Sequence, residues 1–247
     1  MKSVKKNQQP FMYGDFKQAF TELKSAIMQK APYVLLLGDS GLGKTTLLRL
    51  LASQLDRSRF HILYLCHGHA SPSGLARVLA EALHLPLSRT RAETSRMLVQ
   101  TLKNLPTRLL FWIDEAQLIR DDTLHELRLL AESDLDGPPV FSVVLAALPE
   151  LKDRLLAPHL FPLWRRIHPR LSMTGLVREE IEPFLKDQLY KQSIGRFSEE
   201  ALSVLFEQAR GIPALLISYA SFCLKSQTNG QISSELVINL LDQFERT

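Results

Sequence analysis

Residues 38–45 decide the fold of this chain, and they read Gly38-Asp39-Ser40-Gly41-Leu42-Gly43-Lys44-Thr45. The apolar run 33–37 before them is typical of a buried strand, and residues 45–51 after them favour a helix. The glycines let the loop turn tightly, so that backbone N–H groups and the helix N-terminus point at phosphate oxygens. A Gly/Ser-rich turn that matches by chance is the alternative, but the flanking strand and helix argue against it. The sequence predicts a nucleoside triphosphate site.

The phosphate-binding residues are therefore predicted to be Gly38, Asp39, Ser40, Gly41, Leu42, Gly43, Lys44, Thr45 and Thr46. Lys44 is expected to reach the β- and γ-phosphates, and the Thr45 hydroxyl is expected to coordinate Mg²⁺. ATP and Mg²⁺ are the expected cofactors.

Composition places the chain among globular proteins. Its 247 residues are 45% hydrophobic and 23% charged, enough for one large α/β domain and a smaller second one. The longest apolar run, residues 140–148, is about half the length that a membrane-spanning helix needs. No apolar segment follows the basic N-terminus, and Cys66 and Cys223 both lie in apolar segments. These features predict a cytoplasmic protein that does not contact the membrane.

The charge is unevenly distributed. The chain carries a net charge of +4, with +7 in residues 1–175 and −3 in residues 176–247. A basic region that includes the phosphate loop is compatible with a polyanionic partner, although a solvated basic face explains the same charge.

The order of the predicted elements gives the fold class. Strands are expected at residues 33–37, 61–66, 108–113, 140–147 and 167–172, alternating with helices, and four helical segments follow at 178–191, 198–210, 213–227 and 233–245. Alternating strands and helices predict an α/β fold with a five-stranded parallel sheet flanked by helices, followed by a small all-helical lid. The predicted domains are a flexible basic arm (1–10), the nucleotide-binding domain (11–175) and the lid (176–247).

Asp114 and Glu115 directly follow the predicted strand 108–113. An aspartate at the end of a buried strand can hold Mg²⁺ beside the phosphate loop, and the next glutamate can polarise water for attack on the γ-phosphate. Adjacent acids are also common in exposed loops, but two strands after a phosphate loop they favour hydrolysis.

The ordered motifs carry a family resemblance: residues 38–45, Asp114-Glu115-Ala116-Gln117, Leu148-Pro149-Glu150-Leu151, Leu163-Trp164-Arg165-Arg166-Ile167 and Gly211-Ile212-Pro213. Together they resemble the AAA+ ATPases, a P-loop NTPase family. Within that family the chain is most similar to the secretion-pathway A-type branch, in a stand-alone form resembling transposition target selectors of the phage Mu B type.

The resemblance implies a role for each matching residue. It places Lys44 and Thr45 on phosphate and Mg²⁺, Asp114 on Mg²⁺, Glu115 as the catalytic base and Gln117 near the γ-phosphate. Arg166 is implied as an arginine finger that acts on the nucleotide of a neighbouring subunit. Arg165 and Arg170 are alternatives for that role, and a purely structural surface arginine is the other interpretation.

Two positions depart from the family pattern. Relatives usually carry a polar sensor of the γ-phosphate where this chain has Leu148, and an arginine where it has Ala214. Gln117 or Ser142 are candidates to compensate for Leu148. The departures favour slow hydrolysis, or ATP used mainly to assemble an oligomer.

Two further clusters are candidates for other kinds of site. The spacing of Cys66-His67-Gly68-His69 lacks the second ligand pair of a zinc site, so a loop is favoured over a metal centre. Arg89, Arg91, Arg96 and Lys103 are candidate contacts to a DNA backbone, with a solvated helix face as the alternative.

These observations favour a slow, oligomer-dependent ATPase that forms a ring or filament on duplex DNA, with a transposase or other protein as partner. One alternative is an assembly ATPase of a secretion apparatus. Those relatives continue into a transmembrane helix and a periplasmic domain, whereas this chain is expected to stop at Thr247. The other is a loader or switch that acts on a protein partner.

Overall fold

The computed structural model describes residues 10–65, 71–86, 88, 90–132, 139–189, 195–227 and 230–245. The chain divides into two units. Unit 1 comprises Met1–Gln18, Asp39–Leu50 and Met173–Thr247, and unit 2 comprises Ala19–Gly38 and Leu51–Ser172. The arm predicted at residues 1–10 lies, except for Pro10, outside the described residues, and the predicted domain boundaries stay predictions.

A five-stranded sheet organises unit 2. Its order is β2-β3-β4-β1-β5, with β1 at Tyr33–Gly38, β2 at Phe60–Leu65, β3 at Arg108–Ile113, β4 at Phe141–Ala147 and β5 at Arg170–Met173. The pairs β1–β4, β3–β4 and β2–β3 are parallel. Apolar runs make the three central strands almost completely buried, as expected of a sheet covered on both faces.

The helices of the α/β part alternate with these strands. They are α1 (Gly14–Met28), α2 (Lys44–Gln54), α3 (Pro72–Ala82), α4 (Arg91–Asn104), α5 (Asp121–Ala131), α6 (Glu150–Leu156) and α7 (Phe161–Trp164). Ser71 caps α3 by accepting from Gly74 N–H, and Thr90 caps α4 by accepting from Glu93 N–H.

One face of the sheet carries a continuous core. Leu35, Phe111, Val143 and Leu145 of the strands pack with Leu79, Leu98, Leu124, Leu127, Leu151 and Leu155 of the helices. The strand residues of the opposite face, Val34, Leu36, Leu110, Trp112, Val144 and Ala146, are buried as well. Both faces are therefore covered, and polar chemistry is confined to the strand ends.

Unit 1 contains the C-terminal helices. A short 3₁₀ helix (Arg178–Glu180) leads into α8 (Ile181–Gln188), and α9 (Glu199–Ala209), α10 (Pro213–Ser226) and α11 (Ser234–Glu245) follow. Helix α9 packs on α8, α10 and α11. Ser198 caps α9 by accepting from Ala201 N–H.

The predicted fold class is confirmed: a five-stranded parallel sheet flanked by helices, then a helical C-terminal region. Some boundaries differ. Strand β5 spans Arg170–Met173 rather than 167–172. The backbone of His168 and Pro169 already bonds to Tyr33 and Leu35 of β1 before this strand begins, but Pro169 has no N–H to donate to a ladder. The helix predicted at 178–191 begins as the 3₁₀ turn and its α-helical part ends at Gln188. No helix among the described residues is long and apolar enough to cross a membrane.

Two glycines close the turn between α9 and α10 against the segment after β5. Gly211 has φ +69, and a Cβ there would lie 2.5 Å from Leu176 O. Gly175 has φ +111, and its Cβ would lie 2.5 Å from Gly211 O. The close approach lets Leu176 N–H donate to Gly211 O at 2.9 Å. Only glycine combines this backbone conformation with that space.

We expect Gly211→Ala to lower the free energy of unfolding by at least about 2 kcal/mol, because it adds backbone strain and a clash with a carbonyl. Urea denaturation followed by circular dichroism measures the effect. Gly195→Ala is the matched control, since a Cβ at Gly195 meets nothing within 4 Å. Equal stability of the two variants would contradict the proposed constraint.

Candidate nucleotide-binding site

The loop after β1 has a backbone conformation that requires glycine at two positions. Gly41 and Gly43 have φ +87 and +91, a region that other residues rarely adopt. Lys44 begins α2, is 5% exposed, and its Nζ donates to Asp39 O at 3.1 Å. The Lys44 side chain thus crosses the loop toward Asp39. Its backbone begins α2, and the first N–H groups of a helix suit an anion.

The N-terminus of α10 lies against this loop. Ala214 N–H donates to Gly41 O at 3.3 Å, and a Cβ at Gly41 would lie 2.9 Å from the Ala214 methyl group. The position where relatives carry an arginine is therefore in contact with the loop through its backbone. The small side chain of Ala214 permits this approach.

A cavity of about 220 Å³ adjoins the loop within unit 1. Its walls are mainly apolar and aromatic, formed by Pro10, Phe11, Tyr13, Phe16, Leu42, Phe184, Pro213, Ala214 and Ile217, and the loop glycines and Thr46 form part of its lining. Apolar and aromatic walls with few polar groups suit a nucleotide base. This cavity was not predicted from the sequence, although three aromatic residues within 11–16 were a signal that could have found part of it.

Tyr13 connects the N-terminal segment to the loop. Its hydroxyl donates to Leu42 O at 2.7 Å. Burial is the main cause that raises the pKa of Tyr13, so the phenol remains a donor. The Asp15 carboxylate accepts from the N–H groups of Thr174 and Gly175, at 2.6 and 2.9 Å. The entry to α1 is thereby fixed beside the loop.

The acidic pair directly follows β3 in unit 2. Asp114 is 3% exposed, and its Oδ2 accepts from the Tyr64 hydroxyl at 2.8 Å. Its Oδ1 accepts from Glu115 N–H at 3.1 Å. Glu115 has φ +53, an unusual value for a residue other than glycine. Strand β3 thus ends in a turn in which hydrogen bonds hold the Asp114 carboxylate and the backbone conformation of Glu115 sets the direction of its side chain.

Mg²⁺ binds through one or two carboxylates together with phosphates and water. The Asp114 carboxylate of unit 2 is a ligand of this kind, and the Thr45 hydroxyl of unit 1 is an oxygen donor in the phosphate loop. Among the described residues no group of three or more His, Cys, Asp or Glu side chains forms a metal cluster. The segment Cys66-His67-Gly68-His69 lies outside the described residues.

Gln117 joins the acidic turn to the end of β4. Its Nε2 donates to Glu115 Oε2 at 2.6 Å, and its Oε1 accepts from Leu148 N–H at 3.1 Å. The backbone of Leu148 therefore makes a polar contact although its side chain is apolar. Ser142 was the other candidate to compensate for Leu148, and that prediction is wrong. It lies near the amino end of β4, where its hydroxyl donates to Ala31 O at 2.7 Å.

The three candidate finger arginines lie before β5 or at its start, away from Asp114 and Glu115. Arg166 forms an ion pair with Glu132 at 2.7 Å, and Glu132 also accepts from Tyr33 at the amino end of β1. Arg170 stacks 3.6 Å above the ring of Trp164. Arg165 is exposed and forms no ion pair with any described residue. Within one chain the structure does not bring these arginines to the acidic pair.

The candidate DNA contacts are only partly described. Arg96 and Lys103 are exposed on α4, and their spacing of seven residues places them on one face of the helix. Arg91 is the first residue of α4. Arg89 lies outside the described residues.

Comparison with known proteins agrees with the observed fold. A sequence profile of the AAA domain family matches residues 27–155. The General secretion pathway protein A of Aeromonas hydrophila is 27% identical over 208 residues, which cover 81% of this chain. The match covers 38% of that curated relative, so this chain spans less than half of its length.

Solved structures share the fold at lower identity. The crystal structure of Cdc6p from Pyrobaculum aerophilum has a TM-score of 0.67 at 20% identity, covering 92% of this chain and 65% of that one. The ORC1 protein of Aeropyrum pernix, solved in complex with DNA, has a TM-score of 0.62 at 18% identity, covering 96% and 66%. With the family profile extending over more than half of the chain, this protein belongs to the AAA domain family.

Proposed function

We propose that this protein is an AAA+ ATPase that binds and slowly hydrolyses ATP, assembles with ATP on duplex DNA, and regulates transposition by selecting its target. The observation that carries the nucleotide part is the loop 38–45. Its positive-φ glycines, its buried Lys44 and the apolar cavity beside it form a site for the phosphates and base of one nucleotide.

The loop residues bind the nucleotide in this proposal. Lys44 holds the β- and γ-phosphates, the N–H groups of residues 41–46 donate to phosphate oxygens, and the base enters the cavity lined by Phe11 and Ile217. Thr45 and Asp114 hold Mg²⁺, which neutralises charge on the phosphates when bound.

Hydrolysis depends on the acidic turn. Glu115 accepts a proton from the water whose oxygen attacks the γ-phosphorus, while the bond from that phosphorus to the β-phosphate oxygen breaks and ADP leaves. Gln117 lies beside Glu115 and donates to its carboxylate. Apolar Leu148 removes one polar contact that relatives direct at the γ-phosphate. Fewer contacts to the transition state mean slower turnover, which favours a role for ATP in assembly.

In this proposal a neighbouring subunit supplies an arginine that completes the site in the assembled protein. Arg166 is exposed and distant from the acidic pair of its own chain, as expected of a residue that acts on a neighbouring subunit. Arg165 and Arg170 are the alternatives. A homo-oligomer, either ring or filament, is therefore part of the proposal.

DNA binding rests on charge and on the resemblance to transposition target selectors. The exposed Arg96 and Lys103 share one face of α4 in the basic part of the chain. Such residues track a phosphate backbone without reading bases. A structural relative solved with DNA supports the fold's compatibility with this role.

A second candidate function is assembly of a secretion apparatus, favoured by the 27% identity to General secretion pathway protein A. An ATPase of that kind would act on protein components, and duplex DNA would leave both its assembly and its turnover unchanged.

We expect Lys44→Ala to weaken ATP binding by about 30- to 100-fold, because a buried charge that bonds to phosphate is lost, a change of about 2–3 kcal/mol. Titration with a fluorescent ATP analogue measures the affinity. Lys152→Ala, which removes an exposed lysine of α6, is the control. Retained affinity in the Lys44 variant would refute the phosphate-loop assignment.

We expect Glu115→Gln to bind ATP with unchanged affinity and to hydrolyse it at least about 100-fold more slowly, because the amide cannot accept a proton. Phosphate release measures turnover, and size-exclusion chromatography with ATP detects the trapped oligomer. Glu150→Gln changes an exposed glutamate near the end of β4 and should behave as wild type. Normal turnover in Glu115→Gln would remove this residue as the base.

We expect ATP and duplex DNA together to produce rings or filaments of the Glu115→Gln variant in electron micrographs. Replacing both Arg96 and Lys103 by alanine should lower the slope of log affinity against log salt by about 1 for each phosphate that the variant no longer neutralises. Replacing Lys152 and Lys225 by alanine removes the same charge elsewhere and is the control. Particles that remain monomeric on DNA would count against the DNA role and favour the second candidate.

A further inference from the structure

Arg154 of α6 forms hydrogen bonds and an ion pair with the turn that follows Glu115. The Arg154 guanidinium donates to Gln117 O and, at 2.7 Å, to Ile119 O, and it forms an ion pair with Asp121. These contacts span the whole connection from the 3₁₀ turn 116–118 to the start of α5. The Arg154 side chain thus holds residues 117, 119 and 121 of the segment that follows the acidic pair.

The charge of Asp121 supports these contacts. Hydrogen bonding to Arg154 is the main cause that lowers the pKa of Asp121, and His159 adds to it at 2.7 Å. Asp121 is therefore ionised at neutral pH and keeps its pair with Arg154. The guanidinium is planar, so its donors reach two carbonyls and a carboxylate at once, which a lysine ammonium does not match.

Gln117 connects Arg154 to Glu115. Arg154 holds the backbone of Gln117, and Leu148 N–H holds the side-chain oxygen of the same residue. The Gln117 amide then has one orientation left, in which Nε2 donates to Glu115 Oε2 at 2.6 Å. The α6 arginine and the glutamate carboxylate are thereby connected by one chain of hydrogen bonds.

The geometry of Glu115 needs such support. Its φ of +53 is a conformation that costs about 1–3 kcal/mol for a residue other than glycine and persists when its surroundings enforce it. Oε1 of Glu115 accepts no hydrogen bond from any residue that the structure describes. Gln117 therefore orients the carboxylate through one oxygen and leaves the other available for water.

We propose that Arg154 is a positioning residue that, acting through Gln117, holds the Glu115 carboxylate in the orientation needed to activate water. This inference rests on the proposed hydrolysis of ATP by Glu115. Arg154 itself bonds to the turn after Glu115, so its removal leaves the phosphate loop intact and changes turnover rather than nucleotide affinity.

The test compares Arg154→Ala with Arg120→Ala. Arg120 lies in the same connection and pairs with Asp122 at 2.8 Å, but donates to none of the carbonyls that Arg154 holds. We expect Arg154→Ala to lower kcat about 10- to 100-fold, the range for a misplaced catalytic group, with ATP affinity within about threefold of wild type. Arg120→Ala should retain wild-type kcat.

Four readouts separate positioning from a general loss of structure. Added guanidinium should restore part of the turnover of Arg154→Ala. Arg154→Lys should remain slow, and Gln117→Ala combined with Arg154→Ala should be no slower than the slower single variant, because both break one chain. Hydrogen exchange followed by mass spectrometry should show faster exchange in residues 114–121 of Arg154→Ala and not of Arg120→Ala.

Unchanged kcat in Arg154→Ala, or additive effects in the double variant, would overturn the positioning role and leave the proposed function standing. A wild-type protein that binds ATP without hydrolysing it, while exchange in 114–121 still depends on Arg154, would instead refute the proposed hydrolysis and with it the role of Glu115.

Discussion

Parallel pairing of β3 with β4 is the constraint from which the acidic site develops. In a parallel sheet both strands end at the same edge, so the residues that follow Ile113 and Ala147 are neighbours. The strands are buried on both faces, and polar groups are excluded until the chain leaves the sheet. Asp114 and Glu115 follow one strand, Leu148 follows the next, and Gln117 bonds to both ends.

The sequence was sufficient for the features that depend on neighbours along the chain. Glycine spacing and the flanking strand and helix predicted the loop, and the acids after an apolar run predicted the acidic turn. Contacts between distant segments were not predictable in this way. Tyr64 reaches Asp114 across 50 positions and Arg154 reaches Gln117 across 37. Ser142 was a wrong candidate for a reason that the sequence already contained: the strand predicted at 140–147 places it near the amino end, whereas Leu148 follows the carboxyl end.

At both departures from the family pattern the polar side chain is lost but a backbone N–H makes a hydrogen bond. At Leu148 the apolar side chain removes a polar group, yet the backbone N–H bonds to the Gln117 side chain. At Ala214 the arginine is replaced by a methyl group, yet the backbone N–H bonds to Gly41 O. In both places a backbone contact links the segment to the site. Backbone donors carry no net charge, so they hold geometry without adding a cation for phosphate.

The pair between Arg166 and Glu132 does not argue against a role for this arginine in a neighbouring site. The Arg166 side chain is 47% exposed, and an ion pair at such a position contributes about 0–1 kcal/mol. Breaking it leaves Glu132 with Arg128 and Tyr33, whose hydroxyl stays protonated because burial raises its pKa. The carboxylate therefore keeps two partners when Arg166 moves. A weak ion pair whose loss is compensated is compatible with the proposed role of Arg166 on the nucleotide of a neighbouring subunit.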